Sequence, residues 1–484
     1  MSKRLIDILA TTDVIELKGL SDLDIHNIVF DSRKVSGGDI FVAVSGTQTD
    51  GHQYIDQAIA QGAVAVVAEK AIDKKSVTCV QVKNSRIALA SMAAAYYDFP
   101  SSQLKLVGIT GTNGKTTTVT LLYRLFKAMG YKVGLLSTVR AYIDERTLDA
   151  THTTPDPLTI NSLLNEMVEA GCQYAFMEVS SHAIDQQRVL NLEFDVAIFS
   201  NITHDHLDYH NTFESYIKAK KKWFDELPAQ AHAIINLDDR NALVMTQNCS
   251  AQVSGYALKK PAKFKGKLIS NSFEGLHMSI DGQEFWSCLT GEFNAYNLMA
   301  VYAAARTLGE SKQQTLTLLS GLKPAEGRFD IVRSGDGRFA VIDYAHTPDA
   351  LENVLKTISQ ARNKQQQIIT VVGAGGDRDK TKRPLMAKLA VEYSNKVILT
   401  SDNPRSEDPQ QILEDMKQGV SEPEAMKVVE IVDRKQAIQT ACMMASGKDI
   451  ILVAGKGHET YQEINGVRHH FDDKEIIEWI FQTA

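Results

Sequence analysis

Lys115 and Thr116 directly follow Gly114 in the segment Leu106-Val-Gly-Ile-Thr-Gly-Thr-Asn-Gly-Lys-Thr-Thr-Thr118, and residues of those types at that spacing can hold a polyphosphate. Backbone N–H groups freed by Gly111 and Gly114, with the positive end of a following helix, suit phosphate oxygens. The Lys115 ammonium suits the outer oxygens, and the Thr116 hydroxyl suits a magnesium ion. The run Thr110, Gly111, Thr112, Asn113, Gly114, Lys115 and Thr116 is therefore the candidate ATP cradle. Such a cradle needs a strand before it and a helix after it. Leu106–Thr110 reads as the strand, and Val119, Leu122, Leu125, Phe126 and Met129 predict an amphipathic helix. The preceding glycine, Gly108, stands one residue farther from Gly114 than in the common phosphate loop.

Two later segments carry oxygen and imidazole groups at predicted strand ends: Met177-Glu178-Val-Ser-Ser-His182 and Asn201-Ile-Thr-His-Asp-His-Leu-Asp-Tyr-His210. Glu178 can bind magnesium directly, whereas His204 and His210 read as hydrogen-bonded loop residues. The next helix contains Tyr216-Ile-Lys-Ala-Lys-Lys-Lys-Trp223, and a run of lysines predicts a solvated face. One of them could instead be held near the phosphates, where it would neutralise developing charge. At Asp402-Asn403-Pro404-Arg405 a proline-fixed turn presents a guanidinium suited to a carboxylate, with an ordinary surface turn as the alternative. Arg378, Lys380, Lys382 and Arg383 add positive charge nearby, so an anionic substrate is expected.

The elements positioning these groups divide into three units. At 484 residues the chain exceeds one ordinary core. Residues 1–100 form a small α/β unit ending at a Pro100 turn, 101–329 a central doubly wound sheet of the P-loop type, and 330–484 a second, Rossmann-like doubly wound unit. Both larger units alternate strands and helices, which predicts mostly parallel sheets. In the third, polar segments follow the strands at Asp343–His346, Gly373–Asp379, Ser401–Arg405 and Gly455–Glu459, where ligands bind in open α/β sheets. A net charge of −7 without a basic domain argues against nucleic acid. Five scattered cysteines fit a reducing cytoplasm, and neither a signal peptide nor a membrane-spanning run is expected. The protein is expected to be a cytoplasmic monomer acting on small molecules.

Taken together the segments resemble the Mur ligases, the ATP-dependent amide-forming enzymes of bacterial peptidoglycan precursor synthesis. The matching blocks are Asp31-Ser-Arg33, Gly38-Asp-Ile-Phe-Val-Ala43, Thr110–Thr116, Glu178–His182, Asp205–His210, Asp343-Tyr-Ala-His-Thr-Pro348 and Gly455-Lys-Gly-His-Glu459. The resemblance implies that the first unit holds a UDP end, through Ser32 and Thr47-Gln48-Thr49. It implies that Thr153, Thr154, Ser180, Gln186 and Arg188 hold a muramoyl dipeptide, with His152 at a variable position. It assigns magnesium to Thr116, Glu178, His206 and Lys220, the lysine being carbamylated in the family, and catalysis to Lys115, Lys220 and His206. Arg328 and Asp343–His346 would face the nucleotide from the junction. Members that add meso-diaminopimelate carry Asp-Asn-Pro-Arg, so Asp402, Asn403, Pro404 and Arg405, with Arg378, Gly455 and Glu459, would form that pocket. Arg405 would read the carboxylate that lysine lacks, and Glu459 the distal ammonium. The implied reaction runs through an acyl phosphate and asks for closure of the third unit, hinged near residues 328–335. The alternatives are a lysine-adding counterpart, a folylpolyglutamate synthetase-like ligase and a silent nucleotide-binding scaffold.

Overall fold

The computed structural model describes residues 2–46, 49–150, 152–205 and 207–483, leaving aside the side chains of residues 207 and 208. Thr47, Gln48 and His206 therefore lie outside the described residues.

The first sheet has five strands in the order Val14–Lys18, Thr78–Val82, Ala65–Ala68, Ile40–Val42, Ile28–Val29. Only the edge strand Val14–Lys18 is antiparallel to its neighbour. Helix Ser85–Tyr96 starts where the Asn84 side chain accepts from the Arg86 and Ile87 N–H groups, an N-cap that satisfies otherwise orphan donors. Its Ala88, Leu89 and Met92 are buried against the sheet with Ile40, Val42 and Val67. The expected Pro100 turn is a 3-10 turn, Pro100–Gln103.

The central sheet has eleven strands. Seven run parallel, in the order Val133–Leu136, Tyr174–Glu178, Lys105–Thr110, Val196–Phe199, His232–Asn236, Gln252–Ala257, Phe264–Ser272. Strand Lys105–Thr110 is buried from Leu106 onward, as a strand covered on both faces must be. Helix Lys115–Ala128 and the alanine-rich helix Glu292–Thr307 form the core on one face, while Pro157–Glu169 and Phe213–Asp225 cover the other. The sheet is less uniformly parallel than the alternation predicted. An antiparallel hairpin, Arg140–Ile143 and Arg146–Asp149, extends one edge, and Gly275–Ile280 with Gln283–Ser287 extends the other. Arg146–Asp149 carries one apolar residue and is mostly exposed, so it has little hydrophobic pattern to read.

The third sheet orders its strands Asp330–Arg333, Phe339–Asp343, Ile450–Ala454, Ile368–Ala374, Lys396–Ser401, Val428–Glu430, all parallel except the first. Their carboxyl ends deliver the four polar segments singled out above to one edge of the unit. A small hairpin, Tyr461–Ile464 and Val467–His470, follows the last of these segments. Helices Arg434–Met444 and Asp473–Thr483 are joined by a fully buried Arg434–Asp473 pair at 2.7 Å. Among the described residues no helix is long and apolar enough to cross a membrane.

Candidate active site

The phosphate loop is braced from behind by the neighbouring strand end. The Asn113 N–H donates to Asn201 Oδ1 at 2.9 Å, and the Ser200 hydroxyl donates to the Asn113 carbonyl at 2.8 Å. Gly114 has φ +88°, and a Cβ there would sit 2.4 Å from Asn297 Oδ1, so both conformation and space demand glycine. Lys115 Nζ folds back onto the Gly111 and Thr112 carbonyls, each at 2.9 Å. Thr116 is buried and its hydroxyl accepts from Arg328 at 3.3 Å. Glu178 is buried behind the loop, with Oε1 accepting from the Thr138 N–H at 2.8 Å.

The solvated-face expectation fails at Lys220. Lys218 is exposed and Lys222 half-buried, and they pair with Glu214 and Glu226, each four residues away. Lys220 instead lies on the buried stripe Tyr216, Lys220, Trp223, Phe224. It is 1% exposed and donates to Thr110 Oγ1 at 3.2 Å and to the Gly111 carbonyl at 3.1 Å. The signal was present in the sequence, because Tyr216 and Trp223 flank Lys220 at i−4 and i+3 and so share its face. Burial, and then the neighbouring Lys115 charge, hold the Lys220 ammonium well below its ordinary range. Lys115 is lowered too, chiefly by desolvation, with Glu178 and Asp205 opposing. Thr116 and Glu178 supply the hard oxygen donors that magnesium prefers. Lys220 as an amine does not, and fits that set only as an oxygen-bearing derivative. His204 is exposed and stacks on Phe213, and His210 is buried against Ser181 at 3.0 Å, as expected of loop histidines.

At the junction with the third unit stands Arg328, whose guanidinium carbon lies 4.6 Å from the centre of the Tyr344 ring. The Asp343 carboxylate accepts from the Phe329 N–H at 2.7 Å, and burial pushes its acid up to about 6 although Arg328 opposes this. Sequence reasoning missed Asp349. Its carboxylate accepts from Asn113 Nδ2 at 3.0 Å and from the Thr203 hydroxyl at 2.8 Å, bridging the helix that follows His346 to the phosphate loop. No local pattern marks it, since its partners are more than a hundred residues away.

At the other end lies the turn Asp402–Arg405. Arg405 has φ +53°, a region non-glycine residues seldom adopt. It is held there by hairpin bonds: the Arg405 N–H donates to the Glu463 carbonyl at 3.0 Å, and the Asn465 N–H donates to the Arg405 carbonyl at 2.7 Å. Its guanidinium donates to the Gly376 carbonyl at 2.6 Å. Asn403 is buried and donates to Glu459 at 2.8 Å. A Cβ on Gly455 would lie 2.4 Å from Asp402 Oδ2. The cationic run after Arg378 contributes less to this site than expected. Arg378 and Lys382 line the cleft, but Arg383 is fully buried and pairs with Glu407 and Asp415 at 2.9 and 2.7 Å, and Lys380 pairs with Glu407.

Between the two ends, His152, Thr153, Thr154, Ser180 and Arg188 line the same cleft, whose volume is ≈ 1150 Å³. Arg188 donates to the Thr154 carbonyl at 2.8 Å and to Gln186, which braces it from behind. Ser32 and Thr49 belong to the first unit and do not line this cleft: the Ser32 hydroxyl donates to Gln57 at 3.2 Å, and the Thr49 carbonyl accepts from Gly46 at 3.0 Å.

Three family models match the chain. The Mur ligase family catalytic domain covers residues 24–97, the Mur ligase middle domain 109–305, and the Mur ligase glutamate ligase domain 327–457. The chain belongs to the Mur ligase family. Curated relatives named UDP-N-acetylmuramoyl-L-alanyl-D-glutamate--2,6-diaminopimelate ligase include that of Phocaeicola vulgatus, 54% identical over 96% of this chain and 97% of its own length. That of Cytophaga hutchinsonii is also 54% identical, over 99% of each chain. A solved structure of a protein with the same name superposes with a TM-score of 0.72 at 34% identity, covering 100% of this chain and 99% of its own.

Proposed function

We propose that the chain is an ATP-dependent amide ligase that joins meso-diaminopimelate to the side-chain carboxylate of D-glutamate in UDP-N-acetylmuramoyl-L-Ala-D-Glu, with release of ADP and phosphate. The observation that carries this reading is one cleft holding a phosphate loop at one end and the Asp402–Arg405 turn at the other. Residues 1–100 hold the UDP end through Ser32 and Thr47–Thr49, 101–329 bind ATP, and 330–484 bind the amino acid. The enzyme works as a cytoplasmic monomer.

The glutamate carboxylate attacks the γ-phosphorus of ATP, forming an acyl phosphate and releasing ADP. The diaminopimelate amine then attacks the acyl carbon, the C–O bond to phosphate breaks, and the amine gives up a proton. Neither step needs a covalent enzyme intermediate, so the protein's contribution is positioning and charge. Loop N–H groups and Lys115 take the phosphate oxygens, while Arg188, Thr153, Thr154 and Ser180 hold the dipeptide. Burial disfavours the ammonium of Lys220 and so favours addition of CO2 at the neutral Nζ, forming an N–C bond and releasing one proton; the carbamate completes an oxygen donor set. Thr116, Glu178, His206 and that carbamate would hold magnesium, which when bound supplies neutralisation of the polyphosphate charge. Arg405 grips the distal carboxylate of diaminopimelate, and lysine leaves that guanidinium without its partner. Closure of the third unit about residues 328–335 keeps water from the acyl phosphate.

The test is phosphate release with ATP and UDP-N-acetylmuramoyl-L-Ala-D-Glu, comparing meso-diaminopimelate with L-lysine. Release that depends on diaminopimelate and is far slower with lysine is expected. Equal or faster release with lysine would assign the chain to a lysine-adding enzyme. No release with either would return it to the scaffold reading.

A further inference from the structure

Lys456 is fully buried, yet its ammonium reaches two side chains that line the cleft. It donates to Asn403 Oδ1 at 3.2 Å and to Glu459 Oε2 at 3.1 Å, with the Tyr461 ring centre 5.4 Å away. Lys456 itself does not line the cleft, whereas Asn403 and Glu459 do.

That ammonium fixes the orientation of both side chains. Asn403 Oδ1 also accepts from the Glu463 N–H at 2.9 Å, so both its acceptor directions are engaged by donors behind the pocket. The amide is therefore locked with its NH2 forward. One of those N–H groups is spent on Glu459 Oε2 at 2.8 Å, leaving one to offer. Glu459 Oε2 is engaged twice, by Lys456 and by Asn403, which leaves Oε1 for a ligand. Beside them stands Arg405, one guanidinium nitrogen of which is bonded to Gly376.

We propose that Lys456 is the positioning and specificity residue of the amino-acid pocket. Its ammonium orients Asn403 and Glu459 so that an amide N–H beside Arg405 meets the distal carboxylate of diaminopimelate, and a carboxylate oxygen meets the distal ammonium. This rests on the diaminopimelate-ligase reading above. Without the lysine, the Asn403 amide can turn its carbonyl toward the substrate carboxylate, and Glu459 loses the cation that anchors it. Arg434, the other buried cation nearby, is anchored away from Asn403 by two hydrogen bonds to Asp473 and one to the Ala454 carbonyl.

The experiment measures steady-state kinetics of parent and Lys456→Met, varying each substrate in turn. The expected result is a KM for meso-diaminopimelate raised roughly tenfold or more, as loss of charge-assisted bonds implies. The KM values for ATP and the muramoyl dipeptide should stay within about twofold, and the preference for diaminopimelate over lysine should shrink. Lys456→Ala should recover part of its affinity when n-butylammonium is added, a rescue that a purely structural defect would not give. An unchanged diaminopimelate KM, or a rise in all three KM values together without amine rescue, overturns the assignment. If Lys456→Met does not fold, Lys456→Gln is read the same way, with a severalfold rise in KM expected and a parental KM and preference overturning the proposal. A parent with no diaminopimelate-dependent turnover overturns the ligase reading itself; an active parent with an indifferent variant overturns only the role of Lys456.

Discussion

The two ends of the cleft treat buried basic side chains in opposite ways. At the phosphate loop, Lys115 and Lys220 share the Gly111 carbonyl and, among the described residues, neither makes an ion pair. In the third unit the buried cations are matched: Arg434 to Asp473, Arg383 to Glu407 and Asp415, Lys456 to Glu459. The loop thus leaves Lys115 to be answered by the polyphosphate of the reacting complex, and Lys220 without a carboxylate that would hold it as an ammonium. The amino-acid pocket has balanced its charges beforehand and selects by geometry. A site that must stabilise charge developing during reaction gains from the first arrangement, and one that must tell two amino acids apart gains from the second.

The largest effect that could break this contrast is at Lys220. Replacing it with Met should lower turnover on the order of a thousandfold or more. It should not lower the melting temperature, because Met fills the same buried stripe without the cost of desolvating an amine. A melting temperature several degrees below the parent's would show that Lys220 stabilises the fold as the paired cations do.

The opposite outcome is expected at Asp473→Asn, which strands Arg434 in the core. Urea unfolding should report a loss of about 3–5 kcal/mol, as breaking one side of a buried pair does. A loss below about 1 kcal/mol would remove the distinction from the other side. Next comes Arg405→Ala, for which diaminopimelate turnover should fall roughly a hundredfold while ATP binding, followed by calorimetry, is retained.

The smallest effects concern pH, and two neighbours at the junction titrate in opposite senses. Burial, aided by Arg328, Arg140 and Lys456, pushes His458 down to about 3. Its folded value lies below its unfolded one, so its stabilisation is complete above pH about 6.5 and is lost as pH falls toward 3. Asp343 is raised to about 6, so folding binds its proton more tightly, and the fold gains stability from this group as pH falls from about 6 to about 4. Melting curves should therefore show a flatter acid decline for His458→Gln than for the parent, and a steeper one for Asp343→Asn. The same decline in all three would dismiss both assignments.

Much of this was legible in the sequence where the determinants are local. The strand, Gly111, Gly114, Lys115 and the following helix lie within a few residues of one another, and they fold as their spacing predicts. The Asp402–Arg405 turn was visible for the same reason, but what holds Arg405 at φ +53° was not, because its partners Glu463 and Asn465 come from a hairpin distant in sequence, whose Asn465-Gly466 turn signals the hairpin itself but not where it packs. Lys220 was misread by composition: charge counting sees a lysine run, and only helical periodicity separates the inward lysine from the outward ones. Arg383 was misread the other way, since its partners Glu407 and Asp415 are distant in sequence and neutralise a charge that appeared available. Asp349, joining two units, has no local signature at all.

Whether the two ends are separable, as their contrasting charge arrangements require, is tested most directly by positional isotope exchange. ATP labelled with oxygen-18 in the β,γ-bridge is incubated with UDP-N-acetylmuramoyl-L-Ala-D-Glu and no amino acid, so that reversible acyl phosphate formation moves the label to non-bridging positions. Arg405→Ala should scramble the label at a rate close to that of the parent, and Lys220→Met should not scramble it. Loss of exchange in Arg405→Ala, or its survival in Lys220→Met, would contradict the division of labour between the phosphate loop and the amino-acid pocket.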